Sequence, residues 1–358
     1  MVISTCSFGS TGSSAVSDYL RECDDLHVID SFEFVLSTCV DGLEDLEYHL
    51  MKHQSRQESS IYAIQRFEKE VAFRSKAWHG RGHASFEDIR RLTDEFLDGI
   101  TQVKYIGNSP KINKRHNEWF RKNIGDSIIR KRIITKLEKK GIIKKNINFY
   151  PLDEVRVSIR PDNFYECAQK YVEGLFKSMG VDASENIVLD QAFSGNDPAK
   201  SFPFFKDPYA IVVDRDPRDV YIFARKKLLS KGRFMPSDNV DNFIKYYRAL
   251  RENQPYKEPN DRILLIRFEE MVYDYENTVP KIDKFLGVKN VRPKTIFIPE
   301  MSAANTNLIR RFPEFQDDVK KIEQQLPEYI FRFEDYPEIK DNGKMFFGRS
   351  LTNPNQAH

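Results

Sequence analysis

The sequence predicts an α/β protein built on a doubly wound parallel sheet, with helices on both faces and a helical insertion. Three observations carry this reading. Apolar runs such as Ile211-Val212-Val213 and Ile263-Leu264-Leu265-Ile266 suit strands buried on both faces. Such runs alternate with segments of helical period, the pattern of a sheet covered by crossover helices. The first run, at 2–6, passes directly into a glycine–serine stretch and then into an apolar helical face.

Taken in order, residues 2–6 form the first strand and Ser7-Phe8-Gly9-Ser10-Thr11-Gly12-Ser13-Ser14 the turn after it. Ala15, Val16, Tyr19, Leu20 and Cys23 then recur at helical spacing. Residues 27–29 offer a second strand. From 43 to about 150 the chain is more polar, and Ile64, Phe67, Val71 and Ile89, Leu92, Phe96 follow a helical period. This stretch reads as a helical insertion in one domain spanning 1–358. The α/β pattern returns with a helix at 163–178 and strands at 186–189, 210–213 and 262–266. Helices are expected near 218–229, 240–252, 276–285 and 317–325, and an irregular tail after Asp341.

Composition narrows the functional classes. Of 358 residues, 40% are hydrophobic, with 27 Phe and 16 Tyr, enough for a large core. The net charge of +2 and the 31% charged content exclude a disordered or collagen-like chain. No apolar run reaches the length of a membrane span. The first residues lack the basic region of a signal peptide and read as a strand. Cys6, Cys23, Cys39 and Cys167 form no CxxC pair and no zinc spacing, so buried free thiols and a cytoplasmic location are expected. Between Lys104 and Lys145, 14 Lys or Arg face the acids Glu118, Asp126 and Glu138, a local balance of +11. Such a run reads as a solvated helix face; its alternatives are an acidic acceptor or peripheral contact with a membrane surface. No aromatic motif accompanies it, so nucleic acid is not expected.

The turn after the first strand carries the chemistry. Gly9 and Gly12 permit a tight path, Ser10, Thr11, Ser13 and Ser14 add hydroxyls, and successive amides gather at a helix N-terminus. That is an anion site, with an ordinary helix cap as its alternative. A nucleotide hydrolase loop would need a Lys after the second glycine, where Ser13 stands. The G-x-G-x-x-G dinucleotide pattern is also missing. A second signal is Asp214-Arg215-Asp216-Pro217-Arg218-Asp219, where a buried strand ends at Arg215 and Pro217 opens a helix. Arg215 thus stands at a strand's carboxyl end, where open α/β sheets bind ligands, and its planar fork suits phosphate. Asp216 and Asp219 fall in the first helical turn and are read as structural.

These two anion-binding strand ends, with the later Arg267-Phe-Glu-Glu-Met-Val-Tyr-Asp274 and the helix ending Lys284-Phe-Leu-Gly287, resemble the sulfotransferases that use 3′-phosphoadenosine 5′-phosphosulfate (PAPS). The resemblance implies their P-loop-like fold and a PAPS co-substrate, with no metal required. It implies that Gly9, Ser10, Thr11, Gly12, Ser13 and Ser14 hold the 5′-phosphosulfate and that Arg215 holds the 3′-phosphate. The chain departs from the family at Ser10, where Lys or Arg is common, and at Phe223, where Ser is usual; Arg225 or the 302–307 segment are substitutes for the latter. Gly348-Arg349-Ser350 is only a faint echo of the family's C-terminal R-K-G.

Sulfuryl transfer needs positioning, a base for the acceptor hydroxyl and stabilised charge on the leaving oxygen. Glu33 is the candidate base: it follows the second strand, expected beside the first, and Phe32 and Phe34 flank it as desolvating groups. His79 and His83, in Trp78-His-Gly-Arg-Gly-His83, are rivals on an expected exposed loop. Asp190 and Gln191, after the third core strand, are expected to face the cleft as substrate contacts or caps. Trp78, Phe86, Phe96, Trp119 and Phe120 line either an apolar acceptor pocket or the insertion's own core. The acceptor expected is a hydroxyl of a polysaccharide, sterol or lipid. The alternatives are a metal-free nucleotide-dependent transferase and a non-catalytic anion- or polysaccharide-binding protein on the same scaffold.

Overall fold

The computed structural model of the chain describes residues 1–53, 57–108, 136–142, 152–182, 185–228, 234–252 and 260–339. A five-stranded parallel sheet forms its centre, in the order β2-β5-β1-β6-β7. Its strands are β1 (Val2–Ser7), β2 (Leu26–Ile29), β5 (Asn186–Asp190), β6 (Pro208–Asp214) and β7 (Ile263–Arg267). Each expected core strand is found within two residues of its sequence-derived bounds, because the apolar runs leave little choice of register.

The period-two alternation of these strands divides the core. Val2, Cys6, Ile187, Leu189, Ala210 and Val212 point to one face. There they meet α3 (Gln57–Gly80), α4 (Phe86–Ile100) and α5 (Phe164–Ser178), with α2 (Leu43–Glu47) preceding them. Ile3, Val188, Ile211, Val213 and Ile266 point to the other face. They meet α1 (Ser13–Leu20) and, later in the chain, α8 (Phe268–Tyr273) and α9 (Tyr275–Leu286). A third cluster joins α6 (Pro217–Phe223), α7 (Val240–Glu252) and α11 (Gln316–Gln325); α10 (Pro299–Ser302) precedes the last of these. Helices therefore cover both faces of the sheet.

The insertion is not wholly helical. Its two long helices are followed by β3 (Val103–Asn108), which pairs antiparallel with β4 (Leu152–Val157). This second sheet breaks the helical expectation because Val103, Tyr105 and Ile106 are β-formers whose apolar surface stays exposed, leaving no clean alternation to detect. Arg156 knits the pair to α3 and α4 through ion pairs with Glu68, Asp94 and Asp98. Most of the basic 104–145 stretch, with Trp119 and Phe120, lies outside the described residues, as does the tail after Asp341. No helix among the described residues is long and apolar enough to cross a membrane. All four cysteines are free: Cys6 and Cys23 are buried as expected, while Cys39 and Cys167 are only partly covered.

One topological relation corrects the sequence reading. β2 is not beside β1; β5 lies between them and pairs with both. From β1 the chain turns to α1 on one face, whereas from β5 it turns to Phe193, Phe204 and Phe205 on the opposite face. The carboxyl ends of β1 and β5 thus flank the point where successive connections diverge, the crevice in which open α/β sheets bind ligands.

Candidate functional site

The loop after β1 occupies that crevice. Gly9, Ser10 and Gly12 hold positive φ of 86°, 58° and 91°, and Gly12 is the N-cap of α1. With no side chain at the cap and no acid in the first helical turn, no side-chain charge offsets the positive end of α1 from within that turn. Among the described residues, no protein acceptor takes the amides of Ser10, Thr11, Gly12, Ser13 or Ser14. Thr11, the one buried residue between the two glycines, fixes the loop's floor. Its hydroxyl donates to the Val213 carbonyl at 2.6 Å and accepts from the Phe8 amide at 3.3 Å.

Gln191 braces the same loop from β5. Its Nε2 donates to the hydroxyls of Ser7 at 2.7 Å and Ser13 at 3.0 Å, and its Oε1 accepts from the Ser7 amide at 3.2 Å. Its own backbone has φ 56° and donates to the Thr5 carbonyl. The polar residues of the central strand serve the site's frame too. Thr5 is 3.0 Å from Ser17 of α1, and the Ser4 hydroxyl accepts the Phe193 amide at 3.1 Å.

Arg215 lies under the loop, almost fully covered, between the rings of Phe223 and Phe268. Its Nη1 donates to the Ser10 carbonyl at 3.0 Å and its Nη2 to the Asn305 carbonyl. Its Nε is buried without a hydrogen-bond partner among the described residues. Phe223, at the position expected to carry a hydroxyl, instead stacks on the guanidinium. Arg225 does not reach it in the described contacts but lies over Phe315, 5.8 Å from the ring centroid. The 302–307 segment meets Arg215 through the Asn305 carbonyl rather than a side chain.

Around Arg215 the acids are structural, as expected. Asp216 caps α6, accepting from the Arg218 amide, and also accepts the Phe331 amide at 2.8 Å. Asp219 accepts the amides of Asn307 and Leu308 at 2.8 and 2.7 Å. Glu269, fully buried, accepts the Asp216 amide at 2.8 Å. Burial pushes both Asp219 and Glu269 upward, partly offset by the guanidinium of Arg215 at the first and of Arg267 at the second. Sequence reasoning missed Arg251: it pairs with Asp214 at 2.5 and 2.8 Å while lying 4.2 Å from the Phe8 ring centroid. Its position in the long helix α7 carried no site signal.

The second carboxylate group of the crevice sits at the ends of β2 and β5. Glu33 is exposed, whereas Phe32 and Phe34 are buried. The flanking rings therefore point away and do not desolvate it, contrary to the sequence reading. The Phe34 amide donates to the Asp190 carbonyl at 2.8 Å, which brings the 30–34 segment onto the end of β5. Burial, reinforced by the charges of Glu33 and Asp30 and opposed by Gln191, pushes the Asp190 carboxyl up to about 7.

The histidine rivals sit differently from their expected loop. Trp78 and His79 belong to the last turn of α3, which runs through Gly80. Trp78 is buried against Phe34, with ring centroids 5.9 Å apart. His79 is exposed, stacked on Phe86 with Nδ1 2.9 Å from the Ala84 carbonyl, and His83 is exposed at φ 59°. Arg81 reaches the Ser31 carbonyl at 3.2 Å, so this turn borders the Glu33 segment. Of the aromatic residues considered for an acceptor pocket, Trp78 and Phe96 are core and Phe86 is exposed.

No family model matches the chain, and no curated protein matches it. Among solved structures the chain is similar to one described as the sulfotransferase domain from the curacin biosynthetic pathway, with 15% sequence identity and a TM-score of 0.34 over 82% of this chain and 75% of that one.

Proposed function

We propose that this protein transfers a sulfuryl group from PAPS to a hydroxyl acceptor. The observation that carries the reading is the row of amides from Ser10 to Ser14, without acceptors among the described residues, at the N-terminus of α1 and in the crevice between β1 and β5. Such a row favours an anion by hydrogen bonding and by the helix dipole together. The loop has no lysine, so its donors are backbone amides and hydroxyls, and the sequence resemblance points to a phosphosulfate rather than a triphosphate.

In this proposal the amides of Ser10 to Ser14 take the 5′-phosphosulfate and stabilise charge on the leaving phosphate, while Gly9, whose amide donates to the Ser7 hydroxyl, sets the path of the loop around it. Gln191 and Thr11 hold the loop in shape for it. Arg215 tethers the loop through Ser10 and offers its Nε edge to the 3′-phosphate. The acceptor enters from the side of Glu33, and the carboxylates available for its proton are Glu33 and Asp190. A polysaccharide, sterol or lipid hydroxyl suits this chemistry equally. A cytoplasmic setting and peripheral membrane contact through the basic 104–145 region complete the proposal.

Thermal shift with 3′,5′-bisphosphoadenosine, beside ATP with and without magnesium, tests the reading. Stabilisation by the bisphosphate is expected. Stabilisation by ATP with magnesium alone would overturn it, and tight bisphosphate binding without transfer to any acceptor would favour a binding protein.

A further inference from the structure

The crevice holds a carboxylate whose surroundings no structural role explains. Asp190 ends β5, one residue before the Gln191 that clamps Ser7 and Ser13, so its backbone is fixed in the frame of the anion loop. Its Cα pairs with Thr5 in the central strand, and its carbonyl takes the Phe34 amide. The residue keeps part of its surface open, yet its Oδ1 is buried and has no hydrogen-bond partner among the described residues. Native proteins seldom leave a buried acceptor unmatched without a reason tied to chemistry. The buried acids Asp216 and Asp219 differ, because both accept backbone amides. Glu269 also leaves one buried oxygen, Oε2, without a hydrogen bond among the described residues, but that oxygen faces the Arg267 guanidinium at 3.8 Å and Oε1 accepts the Asp216 amide.

We propose that Asp190 is the general base of this site, taking the proton of the acceptor hydroxyl while the loop holds the leaving phosphate. This rests on the sulfuryl-transfer reading above. The acceptor O–H bond breaks and its proton passes to the Asp190 carboxylate. The acceptor oxygen forms the new bond to sulfur. The bond from sulfur to the 5′-phosphate oxygen breaks, and its electron pair stays on the phosphate. The products are a sulfate ester, 3′,5′-bisphosphoadenosine and a protonated Asp190, with no oxidant or metal needed to balance the step.

The charged and titratable groups acting on Asp190 come from two neighbours. Glu33 and Asp30 follow β2, and Asp30 pairs with Arg21; Cys6 lies on β1. The two acids favour the protonated form of Asp190, which holds it near the working pH that suits a base. Glu33, exposed at the mouth, supplies part of that field and orients the incoming hydroxyl.

The test compares wild type with Asp190→Asn, using Asp190→Ser should the first variant fail to fold. Binding of 3′,5′-bisphosphoadenosine should be kept within a few fold. Release of that nucleotide from PAPS, with water as acceptor, should fall by about 10²–10⁴-fold, the range for a positioned base. Carbon NMR of protein labelled at aspartate carboxyls gives a second readout that needs no acceptor. One resonance, missing in the variant, should titrate near 7 and move when the bisphosphate binds. Wild type that ignores the bisphosphate overturns the sulfuryl-transfer reading and this inference with it. Wild type that binds it, with that resonance titrating in the ordinary carboxylate range or with turnover unchanged in the variant, overturns the role of Asp190 alone.

Discussion

The ring of Phe268 fills the space that a side chain at Gly12 would need. A Cβ built on Gly12 lies 2.6 Å from Phe268 Cδ2, and Gly12 holds φ 91°. Gly12→Ala should therefore cost about 1–3 kcal/mol in stability through backbone strain. The ring cannot retreat freely, since it also lies against the Arg215 guanidinium. Binding of 3′,5′-bisphosphoadenosine should fall by more than tenfold. Urea unfolding and calorimetric titration measure the two effects, and a variant of wild-type affinity would mean the loop is not the anion site.

Gln191→Ala removes the brace on Ser7 and Ser13 but leaves the strand pairing of β5 intact. The loss of its hydrogen bonds should cost about 1–2 kcal/mol. Bisphosphate affinity should drop by roughly 5–30-fold, the equivalent of that energy. Equilibrium binding beside a thermal melt separates the two, and a melt unchanged from wild type would show the brace to be weak.

Arg215→Ala should lower stability by about 2–3 kcal/mol, because its bonds to the Ser10 and Asn305 carbonyls are charge-assisted. It should also weaken 3′,5′-bisphosphoadenosine more than adenosine 5′-phosphosulfate, which lacks the 3′-phosphate. Equal losses for the two nucleotides in a competition assay would make Arg215 a loop tether and nothing more.

Glu269 sets a pH dependence. Burial raises its carboxyl above the ordinary 4.5, so the folded state keeps the proton that the unfolded chain would release. Its contribution is complete below that ordinary value and is lost as pH rises through the raised one, with a slope of up to about 1.4 kcal/mol per pH unit. Glu269→Gln retains a carbonyl acceptor for the Asp216 amide without ionising. The variant should gain on wild type between pH 5 and pH 8 in denaturant titrations. A difference that stays flat across that range would contradict the assignment.

The core strands were legible because runs such as Ile211-Val212-Val213 tolerate no polar face, and the tight turn into α1 because Gly9 and Gly12 punctuate a serine-rich stretch. Strand order was less so. That β5 separates β2 from β1 depends on pairing across more than 150 residues, which no local pattern encodes. The exposure of Glu33 follows from burial of both neighbouring rings, and an alternating segment cannot bury three successive side chains on one side. Arg215 was found as a strand-end arginine, but its partners are the carbonyls of Ser10 and Asn305, and a backbone carbonyl leaves no mark in the sequence.

The bond from the Phe331 amide to Asp216 spans 115 positions of chain. Arg218 also takes the Phe331 carbonyl, and Arg267 that of Tyr329. During synthesis at about 5–20 residues per second, Asp216 waits roughly 6–23 seconds after its own addition before that partner exists. Until then Asp216, in the turn that holds Arg215, has only the neighbouring Arg218 as a partner for its carboxylate among the described residues, and the 329–331 segment that covers this turn is missing. Nascent chains stalled short of Tyr329 should accordingly have a finished sheet but an open, protease-sensitive crevice at its carboxyl edge.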